Sequence, residues 1–210
     1  MPRPSNTAER RAQIARALLK IMAERGYEGA SVGAIAAAAH IAPGLVHYHF
    51  ESKREILLAA VELLAQDYAG RIERQLAAAA GDPAAELRAF IDAHLRAGEG
   101  ADPSALACWI CVSGEALRDA DVRRAFAGAL EGAAQRLVAI ARRGAREGVF
   151  SCARGDVDAA AAAIVATIQG YFVLAATARE LIPPGTAADA TWAMASGLFG
   201  VSSTPEEASR

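Results

Sequence analysis

Leu45, His47, Tyr48 and His49 lie within five residues and put two imidazoles, a phenol and a leucine on one short segment. Such groups suit contact with base edges and phosphates in a major groove about 12 Å wide. They do not suit catalysis or metal binding: His47 and His49 are two apart, on different faces of a helix, and make a poor metal pair. Nowhere do Asp and Glu pair for acid–base work, and the chain has neither a phosphate-binding loop nor a Gly-x-Ser-x-Gly elbow. No enzyme, metal or cofactor is expected.

Local signals predict the elements that must position these groups. Ser31 is a good N-cap, and Val32, Ile35, Ala36 and Ala39 follow at helical spacing. Four alanines, Ala36 to Ala39, leave that helix a thin side. His40-Ile41-Ala42 breaks the pattern, and Pro43 suits the first position of a second helix, to about Phe50, with Val46 inward. Two short helices joined by a tight turn form a helix-turn-helix, whose second helix can lie in a DNA groove. Ser52-Lys53-Arg54-Glu55 reads as a capping box opening a third helix. Lys53 sits in its first turn, where a cation is unfavourable for the helix dipole and an arriving phosphate would be welcome. The competing reading is a helical hairpin whose aromatics merely pack; two histidines on so short a helix argue against it.

The run I-A-x-x-A-x-I-A-x-G-x-V-x-x-x-F-x-x-K-x-x-I, from Ile35 to Ile56, resembles the DNA-binding domain of TetR-type transcriptional regulators, over about the first 60 residues. The resemblance implies that Pro43, Gly44, Leu45, His47, Tyr48 and His49 contact bases or backbone, and that Ser31 and Lys53 contact phosphate. Two positions depart from the family. His40 replaces the usual turn glycine and must accept or avoid a positive φ. Leu45-Val46-His47 replaces a common Thr-Leu-Tyr run, so no operator sequence carries over. The body is more loosely similar to the BetI-like branch, through Glu115 to Arg123 and Glu147 to Phe150; no ligand carries over.

Of 210 residues, 53% are apolar, mostly alanine, which favours an all-α protein with a real core. Net charge is −2, but residues 1–60 hold 8 Lys and Arg against 5 Asp and Glu, leaving 14 against 19 in the remainder. A basic head on an acidic body would orient the protein on DNA. Three cysteines do not describe a secreted disulfide scaffold, and no leader pattern opens the chain, so the expected compartment is the cytoplasm. The apolar tract Val157 to Ala178 reads as a buried helix rather than a membrane span.

The expected organisation is a helix-turn-helix DNA-binding domain over 1–51, a helical ligand-binding and dimerisation domain over 52–201, and a polar tail over 202–210. Residues 1–6 form a polar arm carrying Arg3, and a first helix runs to Arg25. Further helices are expected from Ser52 to about Ala80, Ala84 to Arg96, Pro103 onward holding Leu106, Trp109, Ile110 and Leu117, Asp119 or Asp121 to Arg146, and Asp156 through Ile182. A last helix carries Trp192, Met194, Leu198 and Phe199, and Gly98 to Asp102 is a loop.

One head spans few base pairs, so a two-fold dimer on a palindromic operator is expected. It would form through the last two helices, with Ala160 to Ala163, Thr167, Gly170 and Leu174 as a small-residue surface and Trp192, Leu198 and Phe199 as anchors. A small-molecule inducer would occupy an apolar site among Phe90, His94, Trp109, Phe126, Gln169, Tyr171 and Phe172, with His94 and Gln169 as polar contacts. The resemblance implies that it shifts the tilt of the long helix, and so the spacing of the heads. Cys108 and Cys111, one helical turn apart, support a second reading as a thiol redox sensor, with Cys152 as a further partner.

Overall fold

The computed structural model describes residues 6–79, 81–96, 103–151 and 156–201. The Arg3 arm, the loop from Gly98 to Asp102, Cys152 and the tail from Ser202 lie outside them. The described residues form α1 (Asn6–Arg25), α2 (Val32–Ala38), α3 (Pro43–His49), α4 (Lys53–Ala78), α5 (Pro83–Leu95), α6 (Pro103–Glu115), α7 (Ala120–Arg146), α8 (Val157–Thr177) and α9 (Thr186–Phe199). A 3-10 turn follows α8 at Arg179–Leu181. No strand occurs among these residues; Phe150 and Val201 make an isolated antiparallel bridge. The chain is all-α.

Two compact units share the helices. The first holds α1 to α3, α4 as far as Tyr68, α6, and α7 as far as Ala129. The second holds the rest of α4 and α7 together with α5, α8 and α9.

In the first unit α1 buries Ile14, Leu18 and Met22, one side of a 3.6-residue period, and Gly26 ends it at φ 71°. The Ser31 hydroxyl accepts the Ala34 N–H at 3.1 Å and opens α2, whose Ile35 and Ala36 are buried. Pro43 begins α3, and Val46 is the buried residue of that helix. Between them His40 takes φ 55°, the one positive φ of a non-glycine among the described residues. A left-handed conformation costs an L-residue about 1–2 kcal/mol, and a glycine's extra chain entropy offsets about 0.5–1 kcal/mol of that. His40→Gly is therefore expected to stabilise the protein by about 0.5 kcal/mol, seen as a higher denaturant midpoint at unchanged m value.

The Ser52 hydroxyl accepts the Glu55 N–H at 3.2 Å, as the capping box requires. The reciprocal bond shifts by one residue: the Glu55 carboxylate takes the N–H of Glu51, not of Ser52. Asp119 caps α7, accepting from Asp121 and Val122. Leu117 is not on the helix as expected: α6 stops at Glu115, and the following turn leaves Leu117 83% exposed.

In the second unit Asp82 caps α5 by accepting the Ala84 N–H, and Pro83 takes the first helical position, one residue before the expected start. Leu87, Phe90 and Ile91 are fully buried. Gly148 at φ 74° ends α7 and turns Phe150 back over Gly144, leaving no room for a Cβ there. Asp156 caps α8, but the helix stops at Thr177 rather than at Ile182. The Thr177 hydroxyl bonds back to the Val173 carbonyl, a contact that weakens the ladder, and Ala178 leaves helical geometry at φ −153°.

The expectation of a buried α8 is half right. Ala161, Ile164, Val165 and Ile168 are buried, yet only 28% of its most apolar 18-residue stretch is. By length and composition this helix could cross a membrane; Ala159, Ala162, Ala163, Ala166, Gly170 and Val173 are exposed. Two expected interface residues face inward instead. Ala161 is buried on the core side of α8, and Phe199 is buried with its ring 6.3 Å from Phe150.

Candidate DNA-reading surface and ligand-site residues

Seven residues make up α3, and its sequence leaves almost everything but Val46 outside. Pro43 and Gly44 are exposed in its first turn, Leu45 and His49 are half-buried, and His47 and Tyr48 are exposed. Tyr48, at 79% exposure, meets the His49 ring edge-on at 5.0 Å. Ser31 is exposed at the start of α2. The structure thus puts Pro43, Gly44, His47 and Tyr48 on an open surface carrying a phenol and an imidazole, groups able to donate and accept hydrogen bonds.

Lys53 is held more tightly than its position suggests. Its Nζ donates to the Tyr27 carbonyl at 3.1 Å and lies 4.1 Å from the centre of the Tyr27 ring. These contacts steady the head of α4 and leave part of the ammonium's hydrogen-bonding capacity for another acceptor. The neighbouring Arg54 grips Asp119 through Nε at 2.5 Å and Asp121 through Nη2 at 2.5 Å. That hydrogen bonding holds the Asp119 carboxyl down at about 2.

Sequence reasoning missed three residues that bind the head together. The Arg11 guanidinium donates to the His49 carbonyl and, at 2.8 Å, to Glu55. Gln13 Nε2 donates to the Ala39 carbonyl at 2.7 Å, and Arg10 donates to Gln13 Oε1 at 2.7 Å. The partners of Arg11 and Gln13 lie 26 to 44 residues away and leave no local signature in the chain.

The expected ligand residues fall into two groups. In the first unit the Trp109 ring stacks on Tyr68 at 5.0 Å and meets Phe126 at 4.8 Å. In the second unit the Phe90 and His94 rings lie 4.4 Å apart, and Gln169, Tyr171 and Phe172 are half-buried on α8. His94 Nδ1 is 2.6 Å from the Phe90 carbonyl, so that nitrogen carries the proton and donates. Burial pushes the imidazole pKa down to about 4, opposed by this hydrogen bond and aided by the charge of Arg71.

The Cys108 and Cys111 thiols are turned to α1. Cys108 Sγ donates to the Leu19 carbonyl at 2.9 Å and Cys111 Sγ to the Met22 carbonyl at 3.5 Å, both on α1. Burial, then the charge of Glu115, pushes the Cys111 thiol up, away from the thiolate that redox chemistry needs. This setting gives the redox reading no support.

A helix-turn-helix head with an open second helix, joined to a larger helical body, defines a DNA-binding regulator of transcription rather than an enzyme. The family "Bacterial regulatory proteins, tetR family" matches residues 14–60, and "BetI-type transcriptional repressor, C-terminal" matches residues 83–200. The chain belongs to the TetR family of transcriptional regulators and is BetI-like.

It is similar to the HTH-type transcriptional regulator BetI of Rhizobium meliloti, at 30% identity over 59% of this chain and 60% of that protein. The BetI of Paraburkholderia phytofirmans is 29% identical, over 59% and 63%. The matches thus span about six-tenths of those relatives' length. Among solved structures, a transcriptional regulator from Rhodococcus sp. Rha1 shares the fold with TM-score 0.77 at 24% identity, covering 93% of this chain and 99% of its own. A protein from Saccharomonospora viridis, solved in complex with choline, has TM-score 0.72 at 24% identity, covering 92% and 96%.

Proposed function

We propose that the protein is a cytoplasmic repressor that binds a palindromic operator as a homodimer and is released by a small molecule. In this reading residues 1–51 bind DNA, and residues 52–201 bind the ligand and dimerise. The observation that carries it is the open face of α3, where Pro43, Gly44, His47 and Tyr48 stand exposed above one buried valine. Ser31 and Lys53 would add phosphate contacts at the starts of α2 and α4, and Leu45 and His49 would complete the α3 surface. Because α4 and α7 each run through both units, ligand binding in the body has two continuous helices through which to bias the heads. The ligand then acts by population shift, favouring one head spacing over another.

The BetI-like body and the choline-bound structural neighbour make quaternary ammonium compounds the first ligand class to try. His94 and Gln169 are the polar contacts expected for it. The test is selection from a pool of random duplexes at two salt concentrations, repeated with choline present. Recovery of a palindrome, with affinity falling steeply in salt, is the expected result. No enriched sequence at either salt concentration would sink the DNA-reading proposal. An operator affinity unmoved by every compound the protein binds would sink the release mechanism.

A further inference from the structure

With Val46 as its buried residue, α3 has little apolar surface to fix how it rolls or slides. A helix of seven residues is also too short to hold itself together in water. Polar contacts on the flanking backbone can therefore set its pose, and α1 supplies one in the turn before α3 and one at its trailing end.

Before α3, the carbonyl of Ala39, the C-cap residue of α2 at the start of the turn, accepts from Gln13 Nε2 at 2.7 Å. Arg10 donates to the other end of that amide at 2.7 Å, which fixes which way it points. The residue after Ala39 is His40, at φ 55°, so this bond lies beside the strained point of the turn. At the trailing end Arg11 donates to the His49 carbonyl, in the last turn of α3, where a cation also complements the helix dipole. The same guanidinium reaches Glu55 at 2.8 Å and lies 4.0 Å from the centre of the Phe50 ring. Glu55 in turn takes the Glu51 N–H at 2.8 Å, so the end of α3 and the start of α4 are held by one ion pair.

We infer that Arg11 and Gln13 are positioning residues for sequence recognition: from α1, Gln13 holds the turn that leads into α3 and Arg11 holds its trailing end, and together they set the pose in which His47 and Tyr48 meet base edges. This inference rests on reading α3 as the element that enters the groove. It differs from a direct role of Arg11 on DNA. A lost phosphate contact weakens binding to every sequence and lowers the salt slope by about one. A lost clamp weakens binding to the preferred sequence alone.

The test uses the full chain, the duplex that the wild type selects, and a scrambled duplex of the same length. Arg11→Met and Gln13→Glu are each expected to lower affinity for the selected duplex at least tenfold. Binding to the scrambled duplex should stay within about twofold, with its salt slope unchanged. Gln13→Glu is nearly isosteric but sets a carboxylate against the Ala39 carbonyl, and Arg11→Lys should recover part of the loss. Should Arg11→Met or Gln13→Glu fail to fold, Arg11→Lys and Gln13→Asn carry the same comparison. Equal losses on both duplexes, or an unchanged affinity for the selected one, would overturn the inference while leaving the DNA-reading proposal standing. A wild type that selects no duplex overturns both.

Discussion

An arginine in place of Ala166 is expected to leave the subunit folded, make it monomeric, and lower its affinity for a palindromic duplex at least a hundredfold. Ala166 stands among Ala159, Ala162, Ala163, Gly170 and Val173, exposed residues at helical spacing on the side of α8 opposite its buried stripe. On α9, Ala190, Ala193, Met194, Gly197 and Leu198 are exposed as well. Small residues let a second helix approach closely, and a mean hydropathy of 1.8 on a helix only 28% buried over that stretch leaves apolar area for a second copy to cover. A guanidinium there would be desolvated without a partner, at a cost of several kcal/mol. In the proposed dimer, two heads make the second half-site encounter intramolecular, worth a factor of about 10²–10⁴ in affinity. Ala139→Arg, on an exposed site of α7, is the control. Sedimentation and duplex binding are the readouts, and an Ala166→Arg protein that stays dimeric would remove α8 from the interface.

The parts of the head written in short-range chemistry were legible in the sequence. Ser31 and Ser52 each cap an N–H three residues on and Pro43 opens α3, as their types imply. Asp156 was legible as a cap for the same reason, and Asp119 was one of two candidates with Asp121. The ends of elements were less so. The helix from Asp156 has apolar and alanine residues well past Thr177, and nothing in that composition marks the back-bonded threonine at which it stops. Leu117 fits an apolar period until α6 is found to end two residues before it.

The candidate site divides in the same way. That α3 turns His47 and Tyr48 outward follows from its one inward valine, but what holds α3 in place does not. Arg11 and Gln13 look like ordinary polar residues of an amphipathic helix until their acceptors at Ala39 and His49 are seen. Lys53 carries the opposite lesson: a cation in a first turn suggests a waiting phosphate site, yet the Tyr27 carbonyl and ring already engage it. Phe199 is the plainest correction. An aromatic near the end of an exposed helix fits an interface, and the pairing of Ser151 with Gly200 instead brings Phe150 and Phe199 together inside the unit.

His94 carries the second large effect, as a dependence of stability on pH. Its pKa falls from an ordinary 6.5 to about 4 in the folded protein, chiefly because burial penalises the charged ring. Between those values the unfolded chain binds a proton that the folded chain refuses, so stability falls as the pH falls through that window. Each pH unit between the folded and unfolded pKa values is worth about 1.4 kcal/mol, so the loss from pH 7 to pH 4 is about 3 kcal/mol. It levels off once the folded ring also protonates. His94→Asn keeps a donor near the Phe90 carbonyl and cannot titrate. The mutant is expected to lose stability at pH 7 through the space it leaves, and to lose less than the wild type on acidification. The carboxylates held below their ordinary range, Glu55, Asp119, Asp121 and Asp189, are present in both proteins and cancel in the comparison. Parallel stability curves from pH 7 to pH 4 would show that the ring takes up its proton in the folded state as easily as in water. Above that window His94 is neutral, so in the proposed function a quaternary ammonium ligand at this ring would meet an uncharged imidazole whose aromatic neighbour, Phe90, lies 4.4 Å from it.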